Sequence, residues 1–156
     1  MSEQQQAVFG IEKIYLKDLS LELPNAPHVF FEQEGPQIEV NIHNAATSLP
    51  QEGLFEVVLT VTVTAKVDAK TVFLIEAAQA GIFQIRHVPQ TELDAVLGTL
   101  CPHTLLPYAR ETVASLVQRA GFPPVNLQHM NFDAIYNQRQ EQLKAQQAPA
   151  GAAPPH

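Results

Sequence analysis

The stretch Phe55 to Val67, FEVVLTVTVTAKV, constrains this chain more than any other. Its odd positions, Phe55, Val57, Leu59, Val61, Val63, Ala65 and Val67, are all apolar, and its even positions, Glu56, Val58, Thr60, Thr62, Thr64 and Lys66, are polar at all but one. Successive side chains of a strand point to opposite faces, so the pattern describes a long strand with one dry face and one wet face. A slip of one residue in pairing would carry the whole apolar set into water, and register is therefore strongly specified. At roughly 1.5–3 kcal/mol for each large apolar side chain buried, the dry face supplies on the order of 10 kcal/mol against the entropy of ordering the chain. A sheet has to form around it.

The neighbouring segments supply the partners. Val8 to Leu23 alternates in more than one register: Phe9 and Ile11 share one parity, Ile14 and Leu16 the other, and Leu19, Leu21 and Leu23 return to the first. The pattern predicts a strand that bends or bulges near Lys17-Asp18. Pro24-Asn25-Ala26-Pro27 ends it, since proline lacks an N–H donor and restricts the residue before it. His28-Val29-Phe30-Phe31 then falls in a loop or crossover. Gln37 to His43 alternates with Ile38, Val40 and Ile42 inward, and Asn44 to Gly53 reads as its turn. Asp68-Ala69-Lys70 is short enough for a hairpin into a last strand, Thr71 to Ile85. Val72, Phe73, Leu74 and Ile75 make that strand apolar on both faces, which suggests contact with another subunit or a ligand. Gly81 marks an expected bulge.

After Pro89 the apolar period changes from two to about 3.6. Thr91-Glu92-Leu93-Asp94 caps a short helix, and Pro102 opens a longer one whose stripe runs through Leu105, Leu106, Ala109, Val113, Leu116, Val117 and Ala120, with Pro107 a place for it to start or bend. Gly121 before Pro123-Pro124 stops it. Asn131 caps a third helix, anchored mainly through its first turns. The organisation is a short disordered terminus over residues 1–7, one domain over 8–143 and an Ala/Pro-rich disordered tail over 144–156. Strands first and helices last predict an α+β domain with an antiparallel sheet and helices on one face.

Composition narrows the function. The net charge is −7, which argues against a nucleic-acid backbone as partner and favours a basic one. Only 16% of the 156 residues are charged while 46% are apolar; ordinary soluble domains run near 25% charged, so exposed apolar surface for assembly or binding is expected. No apolar run approaches the ~18 residues of a membrane span. A lone cysteine and an amino terminus with neither a basic nor an apolar leader region point to the cytoplasm.

Motifs for chemistry are sparse. There is no Gly-rich phosphate loop, no CxxC and no HExxH. Cys101-Pro102-His103 brings two ligand types together without spaced companions, and no flanking cation activates Cys101 as a nucleophile, so a buried or interface thiol is the simpler reading. Asp18, Glu22 and Glu76 fall on or beside strands, where a solvated face accounts for such acids. Phe30, Phe31, Tyr108, Phe122, Phe132 and Tyr136 cluster near Pro-rich turns and helix ends, which allows either core packing or a groove. From the residues alone this is an acidic, oligomer-prone α+β binding domain, which a small-molecule or peptide binding module would also fit.

Several segments together resemble the SecB family of bacterial protein-export chaperones. They are Ile14-Tyr15 and Lys17-Asp18 leading to Pro24-Asn25-Ala26-Pro27-His28-Val29-Phe30, Phe55-Glu56-Val57-Val58-Leu59, Val61-Thr62-Val63-Thr64-Ala65, Gly81-Ile82-Phe83, Cys101-Pro102, Pro107-Tyr108-Ala109-Arg110-Glu111, Gly121-Phe122-Pro123 and Asn131-Phe132-Asp133-Ala134. The resemblance implies a four-stranded antiparallel sheet backed by helices, assembled as a tetramer, a dimer of dimers. It implies a chaperone that needs no ATP or other cofactor, holds precursor proteins unfolded and delivers them to the SecA motor ATPase, without catalysis, nucleic acid or membrane insertion. The family's SecA-docking face maps onto Asp18, Glu22, Leu74 and Glu76. Its client grooves map by position onto Phe30, Leu106, Tyr108 and Phe122, and its subunit contacts onto Val72, Ile75, Gln79 and Cys101. Ala80 stands where the family commonly has a glycine.

Overall fold

The computed structural model describes residues 5–147. Four strands, β1 (Val8–Glu22), β2 (Gln37–Ser48), β3 (Leu54–Val67) and β4 (Lys70–Arg86), form one antiparallel sheet in the order β1-β4-β3-β2. Three helices follow: α1 (Gln90–Gly98), α2 (Leu100–Arg119) and α3 (Phe132–Gln147). The long alternating strand is central, with Val57, Leu59, Val61, Val63 and Ala65 fully buried and Glu56, Thr60, Thr62 and Thr64 partly exposed on the opposite side. α2 covers the dry face, placing Cys101, Leu105, Ala109, Val113 and Val117 in the same core as β3 and β4. Their spacing of four puts them on one helix stripe, the condition for docking a helix on a sheet.

Turns follow the local chemistry. Val67 pairs with Lys70 across a two-residue loop in which Asp68 takes φ 54, a left-handed conformation that Asp tolerates better than most residues. α2 ends in a Schellman arrangement, Gly121 N–H donating to Gln118 O and Phe122 N–H to Val117 O, with Gly121 at φ 93. At the start of α3 the side-chain oxygen of Asn131 accepts from Ala134 N–H at 3.0 Å, and Phe132 is the one buried residue of that helix.

Several expectations need correcting. β2 continues through Asn44 to Ser48, because Leu59 to Phe55 offers it a full ladder; the turn is confined to Leu49–Gly53. Ile38 and Val40 are exposed at that edge, where no helix reaches them, and only Ile42 packs on the core. Gly81 is not bulged. It pairs in register with Ile14 and Val57, and its missing side chain makes room for Phe83, whose ring a Cβ would approach at 2.9 Å. The bulges lie elsewhere: between Ile11 and Lys13, between Leu16 and Asp18, and on β4 opposite Ala65/Lys66, where Val72 is the extra residue. That last bulge buries Val72 and Phe73 together in the core, which explains an apolar run that alternation could not. His28–Phe31 forms a short 3-10 turn, α2 begins at Leu100, well before Pro107, and α3 runs through residues 144–147, assigned above to the tail. Residues 148–156 lie outside the described part.

Candidate functional site

Two surfaces stand out. The first is the sheet face opposite the helices. The bulge at Lys17 shifts the alternation of β1 by one, so Asp18, Ser20 and Glu22 lie on this open face, paired with Ala78, Glu76 and Leu74 respectively. Asp18, Glu22, Leu74 and Glu76 are thereby brought together from two strands. Asp18, Glu22 and Glu76 are exposed, and Leu74 is half-buried opposite Glu22 and two residues from Glu76, an apolar spot at one end of the acidic row. None of the three acids forms an ion pair among the described residues, so the row presents uncompensated negative charge.

Beside it lies a network that the sequence reading did not single out. Tyr15 O–H donates to Glu56 Oε2, and Lys17 Nζ reaches Glu56 Oε1 at 2.8 Å. The Lys17 contact, then the Tyr15 hydrogen bond, hold the Glu56 carboxyl below its ordinary range. Desolvation, reinforced by Glu56, pushes the Tyr15 phenol up to about 12. Glu56 was legible as the lone acid on the wet face of β3, but only the register brings it near β1.

The second surface is a groove of about 320 Å³ between the 3-10 turn, the segment Glu32–Pro36 and the end of α2, lined by Phe30, Phe122, Val29, Val67 and Val72. Phe30 stacks on Phe122 with centroids 5.3 Å apart, and Phe122 leans on Phe73 beneath it. The left-handed Gly121 leaves the space that the Phe30 ring fills, since a Cβ there would sit 3.1 Å from it. Phe30 remains 46% exposed and Phe31 80%, so the groove is aromatic and open to a guest. The other two residues assigned to it by position lie apart from its lining: Leu106 is in the core and Tyr108 is exposed on α2.

The residues assigned to subunit contact are covered within one chain. Val72, Ile75 and Cys101 belong to the core, and Gln79, also buried, donates from Nε2 to Tyr15 O at 3.1 Å. Desolvation raises the Cys101 thiol to about 12, a state that is no nucleophile at neutral pH. A row of uncovered apolar side chains lies instead on the edge strand β1, where Phe9, Ile11, Leu16 and Leu19 point to the helix side beyond the reach of α2. A larger opening of about 780 Å³ beneath α3 has a mixed lining, with Asn41, Asn44, Gln138 and Arg139 beside Ile42, Phe132 and Ile135.

The sequence profile of the family described as preprotein translocase subunit SecB matches residues 2–143. The chain belongs to the SecB family. A protein-export protein SecB of Chromobacterium violaceum is 59% identical over 155 residues, covering 98% of this chain and all of the relative. Its namesake in Methylobacillus flagellatus is 57% identical over 145 residues, 92% of each chain. Among solved structures, a Mycobacterium tuberculosis SecB-like chaperone in complex with a ChAD peptide from an antitoxin has the same fold, with a TM-score of 0.65 over 79% of this chain and 91% of that one at 23% identity. As a SecB family member this chain is a chaperone of Sec-dependent protein export. None of its described helices is long and apolar enough to cross a membrane.

Proposed function

We propose that the chain acts in the cytoplasm as an ATP-independent holdase, which keeps precursor proteins unfolded and hands them to SecA. The carrying observation is the convergence of Asp18, Glu22, Leu74 and Glu76 on the open sheet face while the aromatic groove opens from the helix-side layer. Extended apolar segments of a client lie over Phe30 and Phe122, and the exposed ring of Tyr108 on α2 offers a separate contact, while Leu106 supports α2 from the core. Each such contact is weak, but several on one assembly act together, and linked sites raise avidity by roughly 10² to 10⁴. The acidic row receives a basic, apolar-centred patch of SecA, steered by a chain that carries −7. Assembly as a dimer of dimers covers the exposed row Phe9, Ile11, Leu16 and Leu19 on the unpaired edge of β1. Val72, Ile75, Gln79 and Cys101 serve assembly by shaping the β4–α2 layer behind it. A small-molecule module would need an enclosed apolar pocket, and the opening beneath α3 is open to solvent and mixed in lining.

Purified protein, mixed at one tetramer per slowly folding precursor without nucleotide, should suppress light scattering by the aggregating precursor. Unchanged aggregation at that ratio overturns the holdase reading. Glu76→Lys should weaken SecA binding and spare the precursor; equal loss of both with the assembly intact would refute a dedicated docking face.

A further inference from the structure

We infer that Glu56 is a positioning residue for docking: held between Tyr15 and Lys17, it fixes the β1 bulge that turns the acidic row outward, and so sets affinity for a basic protein surface. The inference rests on the docking role proposed above for that row.

Lys17 is the extra residue between the pairs Leu16–Gln79 and Asp18–Ala78. Without it, alternation continuing from Tyr15 would turn Leu19 and Leu21 to water and Asp18 and Glu22 toward the helices. One residue therefore decides which side of the sheet carries the charge. Among the described residues β1 is an edge strand paired only with β4, so within the chain no second ladder holds the bulge in register.

Side chains hold it from both faces. On the helix side, Gln79 Nε2 donates to Tyr15 O at 3.1 Å. On the open side, Glu56 receives Tyr15 Oη on one carboxylate oxygen and Lys17 Nζ on the other, so the residues flanking Leu16 are tied to a strand two places away. The tie passes over β4, where Ala80 pairs with Tyr15 on one side and Val58 on the other and is completely buried. A small residue there lets the phenol reach across. Glu56 has a second effect: it occupies the Lys17 ammonium, which otherwise is free to neutralise Asp18 next to it in sequence. Loss of Glu56 both loosens the bulge and releases a cation into the acidic row.

The test uses the full-length protein and purified SecA. Glu56→Gln should weaken SecA binding by about 3- to 10-fold, the scale of losing about one ordinary hydrogen bond. It should also speed amide exchange over residues 16–19 and leave precursor holding unchanged. Tyr15→Phe, which removes only the hydroxyl, should give a smaller loss of the same kind, and Glu56→Asp should recover part of the affinity. Unchanged SecA affinity in Glu56→Gln, or affinity and precursor holding lost together, overturns the proposal. Glu76→Lys, run in parallel, separates the two readings. If it weakens docking while Glu56→Gln leaves the affinity unchanged, positioning fails alone; if it too leaves docking intact, the docking row fails and positioning falls with it.

Discussion

On its helix side β3 presents Val57, Leu59, Val61 and Val63, all fully buried; between them, on its other side, it presents Glu56, Thr60, Thr62 and Thr64, all partly exposed. β4 repeats the contrast with Ile75 and Phe83 on the dry side and Glu76 on the wet side. A period of two lets one strand hold the fold together with half of its side chains and meet a partner with the other half. The two functions are therefore separable by mutation, residue by neighbouring residue.

The largest effect should come from the dry side. Leu59→Ala removes a fully buried side chain and should cost about 2–5 kcal/mol of unfolding free energy in a urea titration. Thr62→Ala, on the other face of the same strand, should stay within about 1 kcal/mol of wild type. Equal losses would break the contrast. Next, Gly81→Val places a side chain where a Cβ meets Phe83 at 2.9 Å and Ile14 at 3.2 Å, and should destabilise by about 1–3 kcal/mol. Wild-type stability in that variant would mean the two sides are less tightly packed than described.

A smaller effect sharpens the contrast through pH, because the Tyr15–Lys17–Glu56 contacts titrate and lie on the wet face. The Glu56 carboxyl is held below its ordinary 4.5, so its contribution is complete above that pH and is lost as pH falls through the depressed value. The Tyr15 phenol is raised from 10.0 to about 12, so its contribution is complete below pH 10 and is lost as pH rises through about 12. Thermal melts should show the gap between wild type and Glu56→Gln closing in acid, and the gap to Tyr15→Phe closing in alkali. The Leu59→Ala deficit should carry no matching pH dependence from these two groups.

How much of this was legible in the sequence depended on range. The alternation of Phe55 to Val67, the parity switch near Lys17 and the stops at Pro24 and Gly121 are local signals, and each appears in the fold as read. Signals that depend on which strand lies alongside were misread. The Val72 bulge imitates a two-faced strand, and Gly81 is small because of the Phe83 ring rather than a kink. The acidic row was assigned through family resemblance, and the register brings its four members together. The Tyr15–Lys17–Glu56 contact joins residues about 40 apart across an intervening strand, and nothing in either segment alone announces it.

Hydrogen exchange of the intact assembly, footprinted once with SecA and once with an unfolded precursor, tests the central division most directly. SecA should protect the β1 and β4 segments around Asp18–Glu22 and Leu74–Glu76, and the precursor should protect Val29–Pro36 and the segment around Phe122. One shared footprint for both partners would contradict it.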